Sequence, residues 1–136
     1  MIDQAKVLGA SAVLLICAIL DDGELREYMA QAKALGLSVL VEAHDANEVE
    51  RALKAGASVI GVNNRDLRTF EVDVTNFVRL RKMVPPEVVF VSESGIRGSE
   101  DTKVLYENGT DAVLIGEILM RSPDKKAALA QFRQKR

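Results

Sequence analysis

Two carboxylates, an amide and two glycine turns recur at one kind of place in this chain, the point where an apolar run of strand length stops. Val39-Leu40-Val41 leads to Glu42, and Val59-Ile60-Gly61-Val62 leads to Asn63 with Arg65 close behind. Val88-Val89-Phe90-Val91 leads through Ser92 to Glu93, Ser94 and Gly95, and Ala112-Val113-Leu114-Ile115 leads to Gly116 and Glu117. Parallel α/β folds place their ligands at the C-terminal ends of their strands. Carboxylates in such a mouth can shuttle protons once burial or a like charge moves their pKa values toward neutrality. Asn63 can orient a substrate oxygen without titrating. Gly95 lets the backbone bend closely around an anion, with amide N–H groups free to donate. Gly116 repeats that grammar one helix length later, and the loops after the last two strands of a (β/α)₈ barrel are the usual phosphate site. Against this stand plain readings: Glu93 as a solvated loop carboxylate and Gly95 as an ordinary turn. One acid at a strand end is commonplace; the convergence of all five groups on one end is hard to explain by stability.

Other candidates weigh less. His44, the only histidine, has no second histidine or cysteine nearby to share a metal and lies beside a helix cap, which fits a surface loop better than a general base. Arg65 can grip a phosphate or carboxylate as a fork, or pair locally with Asp66. The stretch from Leu67 to Asp73 reads either as a loop folding over a ligand, with Leu67 as an apolar wall, or as a connector. Cys17, the only cysteine, fits a small buried apolar residue better than a reactive thiol.

These strand ends need a scaffold that repeats. Ala12 to Ile16, Ser38 to Glu42, Val59 to Val62, Val88 to Val91 and Ala112 to Ile115 are the five expected strands, continuous apolar runs that suit burial on both faces. Between them, Leu25, Tyr28, Met29, Ala32 and Leu35 share one helical face. Asp45 starts a short helix, with Glu48 completing a capping-box pattern. Phe77, Val78 and Leu80 mark a helix stopped by Pro85-Pro86. Further helices are expected over about Glu100 to Glu107 and Asp124 to Gln134, and the chain opens on the tail of a helix ending near Leu8. Gly9, Gly36, Gly56 and Gly109 close the helices. The fold class is therefore α/β, a parallel βα repeat, with residues 1–136 forming one unit without an internal boundary.

Composition narrows the function classes. The chain has 136 residues, 48% of them hydrophobic, enough for a real core. Eighteen basic residues against twenty acidic ones give a net charge of −2, so no basic patch argues for nucleic acid. No apolar run is long enough to span a membrane and no export signal is visible, so the expected compartment is the cytoplasm and the expected partner a small molecule.

Val41-Glu42-Ala43-His44-Asp45, Gly61-Val62-Asn63-Asn64-Arg65-Asp66-Leu67, Thr69-Phe70-Glu71-Val72-Asp73, Ser92-Glu93-Ser94-Gly95-Ile96 and Leu114-Ile115-Gly116-Glu117-Ile118-Leu119-Met120 together closely resemble the indole-3-glycerol-phosphate synthases of tryptophan biosynthesis. The resemblance runs from Ile2 to about Phe132. It implies part of a TIM (β/α)₈ barrel, strands four to eight. The implied reaction closes the ring of 1-(2-carboxyphenylamino)-1-deoxyribulose 5-phosphate with loss of carbon dioxide and water, with no organic cofactor and no metal. By position, Glu42, Asn63 and Glu93 would be catalytic, while Ser94, Gly95, Gly116 and Glu117 would hold the substrate phosphate through backbone N–H groups. Arg65, Leu67 and Leu114 would line the substrate pocket.

The resemblance also implies what is missing. A full barrel has eight strands in about 250 residues; five are visible here, without the Glu-x-Lys segment of strand one and the lysine of strand three. Lys6, Lys33 and Lys54 do not replace them. The expectation is an incomplete, inactive portion of the enzyme. The alternative is a non-catalytic phosphate-binding half-barrel assembling through exposed sheet edges. A phosphoribosylanthranilate isomerase is a weaker third reading, opposed by Asn63-Asn64-Arg65. Open edges and an open inner face lead to a homo-oligomer, with a dimer expected first, or to association with the N-terminal half, or else to rearrangement into an open, flavodoxin-like sheet.

Overall fold

The computed structural model describes residues 2–63, 74–93 and 99–133; of these, the side chains of Val74, Thr75, Ser99, Glu117 and Ile118 are not described. Five parallel strands, β1 (Ala12–Ile16), β2 (Ser38–Ala43), β3 (Val59–Asn63), β4 (Val89–Glu93) and β5 (Ala112–Leu114), lie in one sheet in sequence order. Around them run α1 (Ile2–Val7), α2 (Asp22–Ala34), α3 (Ala46–Lys54), α4 (Val74–Arg81), α5 (Ser99–Glu107), α6 (Glu117–Arg121) and α7 (Lys125–Phe132). Sequential order with a helix after each strand is the arrangement of a barrel wall, and the fold is a partial parallel α/β half-barrel.

Each strand buries one face against the helices. Leu15, Val41, Ala43, Ile60, Val62 and Phe90 meet Leu25, Val49, Ala52, Phe77, Leu80 and Leu105 in one core. Phe77 and Phe90 pack edge to face with ring centroids 4.9 Å apart, a geometry favoured by the ring quadrupoles. Arg81 closes the rim of this core: its guanidinium lies 5.2 Å from the Phe90 ring centroid, and its Nε donates to the Gly109 carbonyl at 2.7 Å.

Strand register fixes the other face. Ile16 pairs with Glu42, Glu42 with Gly61, Gly61 with Val91 and Val91 with Ala112; one row further on, Asn63 pairs with Glu93 and Glu93 with Leu114. Side chains at paired positions of a parallel ladder share a face, so these rows line the side turned away from the helices. That side is open among the described residues: Leu14, Val89 and Leu114 are 48%, 41% and 51% exposed.

Local signals explain the helix boundaries. Gly36 ends α2 with φ +72°, a left-handed turn that lets Leu37 N donate to the Ala32 carbonyl at 2.9 Å. Gly9, Gly56 and Gly109 also have positive φ. A full capping box starts α2, Asp21 Oδ1 accepting from Glu24 N at 2.7 Å while Glu24 Oε1 accepts from Asp21 N at 3.2 Å. At α3, Asp45 caps as expected, but Glu48 reaches back to His44 N at 2.7 Å, one residue before the expected donor. Other boundaries also differ from expectation. β4 begins at Val89 and runs on to Glu93, β5 stops at Leu114, α7 spans Lys125–Phe132, and α4 ends at Arg81, ahead of Pro85. A 3₁₀ turn, Cys17–Ile19, follows β1, and α6 is a separate short helix after Gly116.

Candidate functional site

Three of the expected residues come together. Glu42, Asn63 and Glu93 sit at or next to the C-terminal ends of the neighbouring strands β2, β3 and β4, on the face opposite the helix core. Glu42 is 8% exposed and Glu93 3%. Asn63 Nδ2 donates to Glu42 Oε1 at 3.2 Å, which orients that carboxylate across β3. The Glu93 carboxyl lies over Gly61, within hydrogen-bonding reach of Glu42, while its Oε1 has no hydrogen-bond partner among the described residues.

Such a pair cannot hold two negative charges cheaply. Burial penalises the ionised form, the hydrogen bond with Glu42 favours the protonated one, and the Glu42 charge repels a second; together they push Glu93 up to about 8. Near neutral pH, Glu93 therefore keeps a proton that it can give. The pair has the chemistry of a shared-proton acid and base.

Leu114 lies beside Glu93 in register on β5, half-exposed toward the open face. Gly116 follows between β5 and α6 in an exposed position, with nothing within 4 Å of where a Cβ would stand, and Glu117 opens α6. Arg65, Leu67, Ser94 and Gly95 lie outside the described residues. His44 is engaged locally, its Nδ1 3.3 Å from Glu48 Oε2. Cys17 is fully buried with its Sγ 3.7 Å from the Glu48 carbonyl, and burial pushes its thiol up, away from reactivity. Among the described residues no three of His, Cys, Asp and Glu cluster as metal ligands, and no helix is long and apolar enough to cross a membrane.

Two features were missed from the sequence. Arg51 on α3 joins the turn after β1 to α2, its guanidinium meeting Asp22 Oδ1 at 2.6 Å, the Cys17 carbonyl at 3.0 Å and the Leu20 carbonyl. The other is Gly61, whose place inside β3 was the available signal, because a glycine within a strand often marks a close approach.

A parallel βα half-barrel with a buried carboxyl pair at its strand ends defines the class: a barrel protein with its polar site at the C-terminal mouth. Solved structures agree on the fold. The chain superposes with a TM-score of 0.81 on 3-hexulose-6-phosphate synthase from Salmonella typhimurium at 17% identity, covering 96% of this chain and 64% of that one. On thiamine phosphate pyrophosphorylase from Pyrococcus furiosus the score is 0.78 at 19% identity, covering 98% and 62%. The family model of indole-3-glycerol phosphate synthase matches residues 1–132. The chain is 58% identical over 130 residues to the indole-3-glycerol phosphate synthase of Ruminiclostridium cellulolyticum, covering 96% of this chain and 50% of the relative. It is 53% identical over 133 residues to that of Leuconostoc mesenteroides, covering 98% and 51%. This chain belongs to the indole-3-glycerol phosphate synthase family and spans about half the length of the curated relatives it matches.

Proposed function

We propose that the chain supplies strands four to eight of an indole-3-glycerol-phosphate synthase barrel, with Glu42, Asn63 and Glu93 as its catalytic contribution. The reading rests on one observation above others: a buried carboxyl pair, one member held by Asn63 and the other protonated near neutrality, at the mouth of the sheet. The reaction joins an aromatic carbon to a carbonyl carbon, then releases carbon dioxide and water. Loss of water requires a proton on the departing hydroxyl and a base for the ring proton. Protonated Glu93 and the Glu42 carboxyl beside it are suited to those roles, and Asn63 keeps Glu42 turned toward the substrate. Ser94, Gly95, Gly116 and Glu117 would hold the phosphate through backbone N–H groups, and Arg65, Leu67 and Leu114 would border the aromatic ring.

Alone, the chain is proposed to be inactive, because the lysines implied by the family, which would protonate the carbonyl oxygen as the ring closes and stabilise charge, lie outside it; acid catalysis contributes about 10²–10⁴-fold. The open face with Leu14, Val89 and Leu114 exposed favours association, either with the other half of a barrel or with a second copy. The second reading, a non-catalytic phosphate-binding half-barrel, draws on the same open face.

The test mixes this chain with the portion of the Ruminiclostridium cellulolyticum synthase that it does not match and follows indole fluorescence on adding substrate. Turnover by the mixture, absent from either part and lost with Glu42→Gln, is expected. A mixture that associates and binds substrate without turnover would favour the non-catalytic reading; turnover by this chain alone within tenfold of an intact synthase would reject the proposed inactivity.

A further inference from the structure

We infer that Gly61 is the positioning residue of the carboxyl pair: by carrying no side chain in the middle of β3, it leaves the space in which Glu93 crosses that strand to meet Glu42. The backbone does not explain a glycine there. Gly61 lacks the left-handed φ found at Gly9, Gly36, Gly56 and Gly109, and it interrupts the β-branched run Val59, Ile60 and Val62 ahead of Asn63, where a β-branched residue would pack better.

The space does explain it. A Cβ on Gly61 would stand 2.2 Å from Glu93 Oε1 and 2.9 Å from its carboxyl carbon, with Leu40 Cδ1 at 3.1 Å. The Leu40 methyl can yield by a few tenths of an ångström; the carboxyl must leave. Register shows why the two meet. Glu42 pairs directly with Gly61, whereas Glu93 starts one row nearer the strand ends and folds back. Gly61 therefore lies between the two acids. Among the described residues, the groups facing the Glu93 carboxyl are Glu42 from β2 and the neutral Asn63 from β3, with apolar Leu114 next to it on β5. Any side chain at position 61 turns Glu93 away from Glu42 toward the open mouth and water, where burial and the Glu42 charge no longer hold its proton. The consequence for catalysis rests on the synthase reading; the positional claim does not.

Two measurements on the chain test it. The Glu93 carboxyl carbon, assigned with Glu93→Gln in chain labelled with ¹³C-glutamate, is titrated by NMR; Gly61→Ala is expected to weaken its proton affinity at least tenfold. Urea denaturation at pH 5, where the buried Glu93 carboxyl costs the folded state little, then compares Gly61→Ala in the wild-type and Glu93→Ala backgrounds, with destabilisation expected in the first and none in the second. An unchanged Glu93 titration in folded Gly61→Ala overturns the inference, as does equal destabilisation in both backgrounds. If Gly61→Ala alone does not fold, a double variant as stable as Glu93→Ala supports the inference, and a double variant that also fails to fold overturns it. Neither readout uses turnover, so an inactive reconstituted barrel would reject the synthase reading and leave this one standing.

Discussion

Replacing Glu93 by glutamine keeps the shape of the side chain but removes its titration, and the pair geometry sets how stability should respond to pH. In the unfolded chain a glutamate loses its proton near 4.5, while in the folded chain Glu93 is held up to about 8. Between those values the folded state binds more protons than the unfolded state, so this carboxyl makes stability fall as pH rises from about 4.5 to 8. Each pH unit of separation corresponds to about 1.36 kcal/mol. The loss approaches an upper bound of roughly 5 kcal/mol above pH 8 and roughly 3 kcal/mol at pH 7. A small domain has only about 5–15 kcal/mol in total, so the effect is measurable. Urea denaturation of wild-type and Glu93→Gln chains at pH 5, 6, 7 and 8 checks it, both in a His44→Gln background because histidine is the other side-chain type that titrates in this window. A difference of less than about 1 kcal/mol is expected at pH 5, with a growing advantage for Glu93→Gln toward pH 8. Parallel pH profiles would refute the reasoning, since they would mean that Glu93 ionises in the folded chain as easily as in water.

Two other substitutions probe what surrounds the pair. Asn63→Leu removes the donor to Glu42 Oε1 and leaves a buried acceptor unsatisfied, so a loss of about 1–3 kcal/mol is expected in chemical denaturation, largely recovered in the Asn63→Leu, Glu42→Leu double variant. Arg51→Met breaks the bonds to Asp22 Oδ1 and to the Cys17 and Leu20 carbonyls. It should cost about 2 kcal/mol and expose Cys17, read as faster labelling by a thiol reagent; labelling at the wild-type rate would show that Arg51 does not hold that turn.

The sheet was legible from the sequence because continuous apolar runs such as Ala12-Val13-Leu14-Leu15-Ile16 have few other uses in a chain of this length, and the glycines closing the helices punctuated the repeat. The same continuity hid which face would meet the helices. Leu14 and Leu15 look alike in the sequence, yet Leu15 is buried in the core and Leu14 is half-exposed on the open side; only the strand register separates them. Helix ends were less legible than strands. Pro85 stops a helix only if it reaches that far, and α4 ends at Arg81, whose guanidinium leaves the helix to bind the Val84 and Gly109 carbonyls. The strand-end acids were visible one at a time, but their contact was not, because Glu42 and Glu93 lie on strands that are not neighbours and meet across the one between. Two side chains on strands β2 and β4 are separated by two strand spacings, roughly 9–10 Å. A glutamate can cover that gap only by lying flat across β3, and it can lie flat only where β3 carries nothing at all. The information needed to foresee the pair was therefore the glycine between the acids, read together with a register that no local pattern reveals.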